Sequence, residues 1–128
     1  MKNINTFYSL ALCLILASCG GAKTEDKQDA PAELSTEQIV AIGKILVDES
    51  DCKTCHHPTN KIIGPSHTEV AQKYEFTDEN IKLLAKRIIE GGSGVYGDIP
   101  MTAHPDLPQQ DAERMAMYVL SLDGEKKK

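Results

Sequence analysis

Cys52-Lys53-Thr54-Cys55-His56 decides how the rest of the chain is read. Two thiols three apart reach the two vinyl groups along one edge of a porphyrin, and the next residue turns its imidazole toward the iron, the C-x-x-C-H arrangement of covalent haem attachment. His56 is the expected proximal ligand. His57 falls one residue too late and is expected to face away. Two other chemistries use the same letters. A thioredoxin-like dithiol needs a βαβ pattern, and none surrounds this motif. A structural zinc site using Cys52, Cys55 and a histidine needs a second close ligand pair, which the chain lacks.

The start of the chain speaks to compartment. Lys2 provides a positive n-region, and Phe7 to Ala17 form an apolar run too short to span a bilayer and suited to a signal sequence. The run closes on Leu16-Ala17-Ser18-Cys19, which resembles the bacterial lipobox and implies cleavage after residue 18 with lipid on Cys19. An exported, membrane-anchored lipoprotein facing the periplasm is the expectation, inner or outer membrane left open. Cys13 is then discarded, Cys19 acylated, and Cys52 and Cys55 bonded to haem, so no thiol is left for a disulfide.

Residues 20–34 are small, polar and charged, and read as a flexible tether spanning roughly 20 Å. The closing Lys126-Lys127-Lys128 is expected to be a basic tail outside the fold. The expected organisation is therefore 1–18 signal peptide, 19–34 lipidated cysteine and tether, 35–124 folded domain and 125–128 tail. The whole sequence carries a formal charge of −5, and losing Lys2 makes the mature chain more acidic still, which excludes a nucleic-acid binder.

Three segments repeat apolar residues at i, i+3, i+4, i+7 and i+8: Ile39 to Val47, Ile81 to Ile89, and Ala112 to Leu120. Ser35 with Gln38 predicts a capping box for the first helix, and Thr77 before Asp78 and Glu79 caps the second. Gly91-Gly92 ends the second helix. Asp106 with Gln109 is expected to cap the last, with Pro108 in its first turn. Ser66 with Glu69 starts a shorter helix to about Tyr74. No segment alternates long enough for a strand, so the domain is expected to be all-α. Four aromatics between Tyr74 and Tyr118 make a thin core, and two long loops need ordering; a large flat cofactor answers both needs.

Residues 37–122 resemble a short single-haem bacterial class I cytochrome c. The resemblance rests on Gly43, the Cys52-x-x-Cys55-His56 motif, Gly64-Pro65, Gly94-Val95-Tyr96-Gly97, Ile99-Pro100-Met101 and Tyr118-Val119-Leu120. It implies the cytochrome c fold, one covalent haem c and electron transfer rather than catalysis. By position it implies that Met101 is the sulfur ligand opposite His56. Pro65 would accept the His56 imidazole N–H, and Tyr96 would lie near a haem propionate. Gly43 would meet Tyr118 where the first and last helices cross.

Among the other candidates, Met115 sits on the apolar face of the last helix and reads as core, with Met117 about 200° away around that helix. His67 and His104 read as surface histidines. Prolines that often follow the ligand methionine in such proteins are displaced here to Pro105, so a looser Met loop is expected, in which His104 could replace Met101 at raised pH. The implied role is a monomeric carrier of one electron between respiratory-chain redox partners, met transiently outside the cytoplasm. The alternative is a haem peroxidase or gas-binding protein in which Met101 is displaced.

Overall fold

The computed structural model describes residues 33–128; the expected signal sequence, Cys19 and most of the expected tether lie outside the described residues. Four α-helices follow one another: α1 Thr36–Glu49, α2 His67–Lys73, α3 Asp78–Glu90 and α4 Gln109–Leu120. Short 3-10 turns at Asp51–Thr54 and Ser121–Asp123 follow α1 and α4. The only β feature among the described residues is an isolated antiparallel bridge between Gly92 and Met101. The described domain is helical, as the apolar periodicity of its sequence implies.

Local chemistry sets most of the boundaries. At α1, Gln38 N–H donates to Ser35 Oγ while the Gln38 side chain accepts from Ser35 N–H, and Ser66 and Glu69 make the same reciprocal pair at α2. Thr77 accepts from Asn80 N–H at the start of α3, where Asp78 and Glu79 oppose the helix dipole. The α3 helix stops at Gly91, whose φ of 72° would strain any residue with a side chain. The start of α4 corrects the sequence reading. Pro108 itself is the N-cap, with no side-chain cap, and Asp106 lies outside the helix in an exposed turn. Proline's fixed φ sets the entry without a capping oxygen.

The last helix is the centre of the fold. Ala112 and the unbroken run from Met115 to Leu120 are buried, because α1, α2 and α3 all pack against α4. Its crossing with α1 is so close that a Cβ on Gly43 would lie 1.9 Å from the Arg114 carbonyl oxygen and 3.1 Å from Tyr118 Cβ. Val47, Ile81, Leu84, Phe76 and Val70 complete the core around this helix. At the chain's end, Lys127 pairs with Asp78 and Lys128 with Glu75, and the Lys128 backbone N–H donates to the Phe76 carbonyl. The closing lysines thus touch the domain that the sequence reading set them apart from.

Candidate functional site

The two long loops close over one side of this helical frame and leave a cavity of about 570 Å³, of cofactor size. Its floor is apolar, from Val47, Leu84, Ile88, Met115, Ala116 and Val119. Cys52, Cys55 and His56 contribute one wall and Met101 another, and Tyr96 and Arg87 also line the cavity.

The first wall is built by the 3-10 turn Asp51–Thr54, which sequence periodicity did not signal. His56 N–H donates to the Cys52 carbonyl at 2.8 Å, a helical spacing that puts both side chains on the same side of the chain. Beyond it the loop is tied down by Gly64 N–H to Cys55 O and His67 N–H to His57 O. His56 Nδ1 stands 2.7 Å from the Pro65 carbonyl oxygen. A carbonyl can only accept, so the proton sits on Nδ1 and the Nε2 lone pair is left for a metal. His57 is exposed, and its Nδ1 accepts from the backbone N–H of Thr59 and Asn60, so it shapes the loop.

Behind His56 lies a residue that the sequence reading placed wrongly. His67, expected at the surface, is buried at 6% exposure, stacked on His56 with ring centroids 5.6 Å apart and edge-on to Tyr118. The Gly64-Pro65 turn brings the first residue of α2 inward, an effect of tertiary path that a single-residue tendency cannot carry. Burial, then the neighbouring imidazoles of His56 and His57, pulls the His67 pKa down to about 4, so the ring is neutral at ordinary pH.

The second wall is backbone-built. Gly92 and Met101 exchange both N–H to carbonyl bonds, at 3.2 and 2.8 Å, closing residues 92–101 into a loop with half-buried Met101 at its foot. Tyr96 hangs from that loop. Its hydroxyl is buried without a hydrogen-bond partner, and burial, then the nearby Tyr74, pushes its pKa up to about 12. Lys73 Nζ lies 5.1 Å from the centre of its ring. Arg87, which the helical pattern of α3 gave no reason to single out, donates to Tyr74 Oη at 3.0 Å and also lines the cavity. His104, also expected at the surface, is half-buried because its ring bridges the end of α3 and Asp51.

These features fit a haem. An orphaned phenol beside an arginine and a lysine suits an anionic carboxylate such as a propionate. Ile62, Ile63, Val95 and Ile99 are exposed around the mouth, Ile99 to 67%, which a large apolar disc in the cavity would explain. A zinc site does not fit, since the described residues bring together no group of three or more His, Cys, Asp or Glu able to hold a metal.

The comparisons with known proteins point the same way. The family model described as cytochrome c matches residues 40–123, from within α1 to the end of the second 3-10 turn. Cytochrome c-552 of Nitrosomonas europaea is 35% identical over 77 residues, which cover 60% of this chain and 75% of that protein. Cytochrome c-552 of Hydrogenobacter thermophilus is 34% identical over 84 residues, covering 66% and 85%. The crystal structure of wild-type Nitrosomonas europaea cytochrome c552 aligns with a TM-score of 0.58 at 34% identity, covering 62% of this chain and 98% of that one. Arrived at from the haem motif, the helical frame, the cavity and these likenesses together, the conclusion is that the chain belongs to the cytochrome c family, as a class I haem electron carrier, not an enzyme, with one covalently bound haem c.

Proposed function

We propose that the protein carries single electrons between respiratory-chain partners outside the cytoplasm, tethered to a membrane by lipid on Cys19. In this reading Cys52 and Cys55 form the thioethers, His56 and Met101 are the axial ligands, Pro65 orients His56, and Tyr96 meets a propionate. The observation that carries it is the convergence of both cysteines, an Nδ1-protonated His56 and Met101 on one cavity.

Bound haem supplies the one-electron chemistry, with ferrous iron favoured by a thioether opposite an imidazole. The chain's own residues supply the rest. Pro65 holds the His56 proton at Nδ1, so the ligand ring keeps its tautomer and orientation in both redox states. The apolar floor would keep water from the bound haem, and with His56 and Met101 both holding its iron no site would be left for peroxide or dioxygen. Cys52 and Cys55 are half-buried beside exposed Lys53 and Thr54, so the haem edge bonded to them would be the part a partner can approach. Lys53 and Lys61 are exposed near the motif, while Lys44 is engaged with Asp48. Exposed charges of this kind beside the motif suit brief, electrostatically guided encounters.

Among the described residues no helix is long and apolar enough to cross a membrane, and the anchor in this reading is the acyl group on Cys19. The tether would keep the domain at high effective concentration near membrane-bound partners while leaving it free to turn. The test is intact mass and a reduced-minus-oxidised spectrum of detergent-extracted protein. The expected result is one haem, two thioether additions, an acylated Cys19 as first residue, and a reduced spectrum unchanged by CO. A CO-sensitive spectrum would contradict the carrier reading, and an unacylated chain would contradict the tether.

A further inference from the structure

His104 makes a set of contacts that nothing in the axial ligation requires. Its backbone N–H donates to the Ile89 carbonyl at 3.0 Å and lies 3.2 Å from that of Ile88. Its ring Nδ1 is 3.1 Å from the Ile88 carbonyl oxygen, and its Nε2 is 3.0 Å from Asp51 Oδ1. Ile88 and Ile89 belong to the last turn of α3, where carbonyls lack helical partners and the dipole favours a cation. Asp51 opens the 3-10 turn that carries Cys52, 53 residues away in sequence. One imidazole therefore joins three pieces: the chain three residues after Met101, the end of α3, and the turn bearing the first cysteine.

The geometry points to His104 and Asp51 as a strap that fastens the Met101 loop to the Cys52 turn, making His104 a positioning residue for the Met101 sulfur. This rests on the reading of Met101 as the distal ligand. A methionine bound to iron exchanges with an external ligand only when its loop swings out, and the strap ties that loop to the turn that carries Cys52. An exposed ion pair alone would do little, and Asp51 is 65% exposed. Here the pair is extended by two hydrogen bonds to helix-end carbonyls, and the His104 side chain is 28% exposed. Stiffening that the sequence reading missed after Met101, where prolines are absent, is provided by a side chain. With both ring nitrogens engaged, His104 is held in the strap.

The test uses full-length ferric holoprotein, with imidazole as the probe that competes for the Met101 position and the near-infrared sulfur–iron band as the signal. Asp51→Ala and His104→Ala should each speed displacement of the sulfur by imidazole roughly three- to tenfold, and the double variant should add nothing further. Asp51→Glu, which keeps a carboxylate, should restore slow displacement. The denaturant midpoint should stay near wild type in the Asp51 variants. Unchanged displacement in both single variants, additive effects in the double, or a midpoint that falls in step with displacement would overturn the strap. A wild-type protein lacking the sulfur–iron band would overturn the Met101 ligation first, and the strap's role with it.

Discussion

The wall that carries His56 grips its ligand ring directly, whereas the wall that carries Met101 positions its ligand through the backbone on which it hangs. His56 has the Pro65 carbonyl at its Nδ1 and the buried His67 ring stacked behind it, on a turn that the two cysteines would weld to the cofactor. Met101 hangs from a loop closed by its backbone pair with Gly92, and the strap fastens the chain three residues further on. A covalently fixed side needs precise orientation, since the cofactor cannot leave it. The other side needs only to return the sulfur to the iron, and a short closed loop does so at little cost in buried polar groups. Reduction potential and ligand exchange should therefore be governed by the Met101 wall, and assembly of the holoprotein by the His56 wall.

Variants of the two walls should differ accordingly. The largest effect is expected for His56→Ala, which removes the proximal ligand: little or no coloured protein should accumulate, measured as haem per polypeptide. Met101→Ala should keep its covalent haem yet bind CO when reduced, and its potential should fall by a sizeable part of the roughly 0.8 V span that haem proteins cover. Potentiometry alongside CO difference spectra checks both.

A matched pair of glycines separates the walls further. A Cβ on Gly64 would lie 2.6 Å from His56 Cε1, and one on Gly91 would lie 2.5 Å from the Met101 carbonyl oxygen at a backbone φ of 72°. Gly64→Ala should push the imaginary plane of the His56 ring aside and reduce haem incorporation. Gly91→Ala should leave incorporation intact, weaken the sulfur–iron band and cost about 2 kcal/mol in chemical denaturation.

The buried ring behind His56 gives a pH signature. Folded His67 has its pKa pulled down to about 4 against an ordinary 6.5, so the unfolded chain takes up the proton first as pH falls. Native stability is then full above about pH 6.5 and declines toward pH 4, by on the order of 3 kcal/mol. His67→Phe should flatten that slope in denaturation curves measured across the window while keeping the stack on His56. The smallest effect is expected for Tyr96→Phe, which removes one hydroxyl from the propionate end: a potential change of a few tens of millivolts.

What the sequence disclosed was short in range. The haem motif, the two reciprocal caps at Ser35 and Ser66, the glycine stop after α3 and the apolar faces of α1, α3 and α4 each depend on residues within a turn or two of one another. The features that escaped need the tertiary path. His67 turns inward because the Gly64-Pro65 turn aims the start of α2 at the core, Arg87 lines a cavity that exists only once the loops close beside α3, and His104 meets Asp51 across 53 residues. At α4 the competing local signal won, with Pro108 fixing the entry in place of the Asp106 cap.

The account stands on one haem held between the nitrogen of His56 and the sulfur of Met101. Iron-edge X-ray absorption on the holoprotein and on Met101→Ala tests this most directly. The predicted result is a sulfur scatterer in the iron's first shell of wild type that is lost in the variant. A wild-type shell of nitrogen and oxygen alone, or a sulfur signal that survives in Met101→Ala, would contradict it.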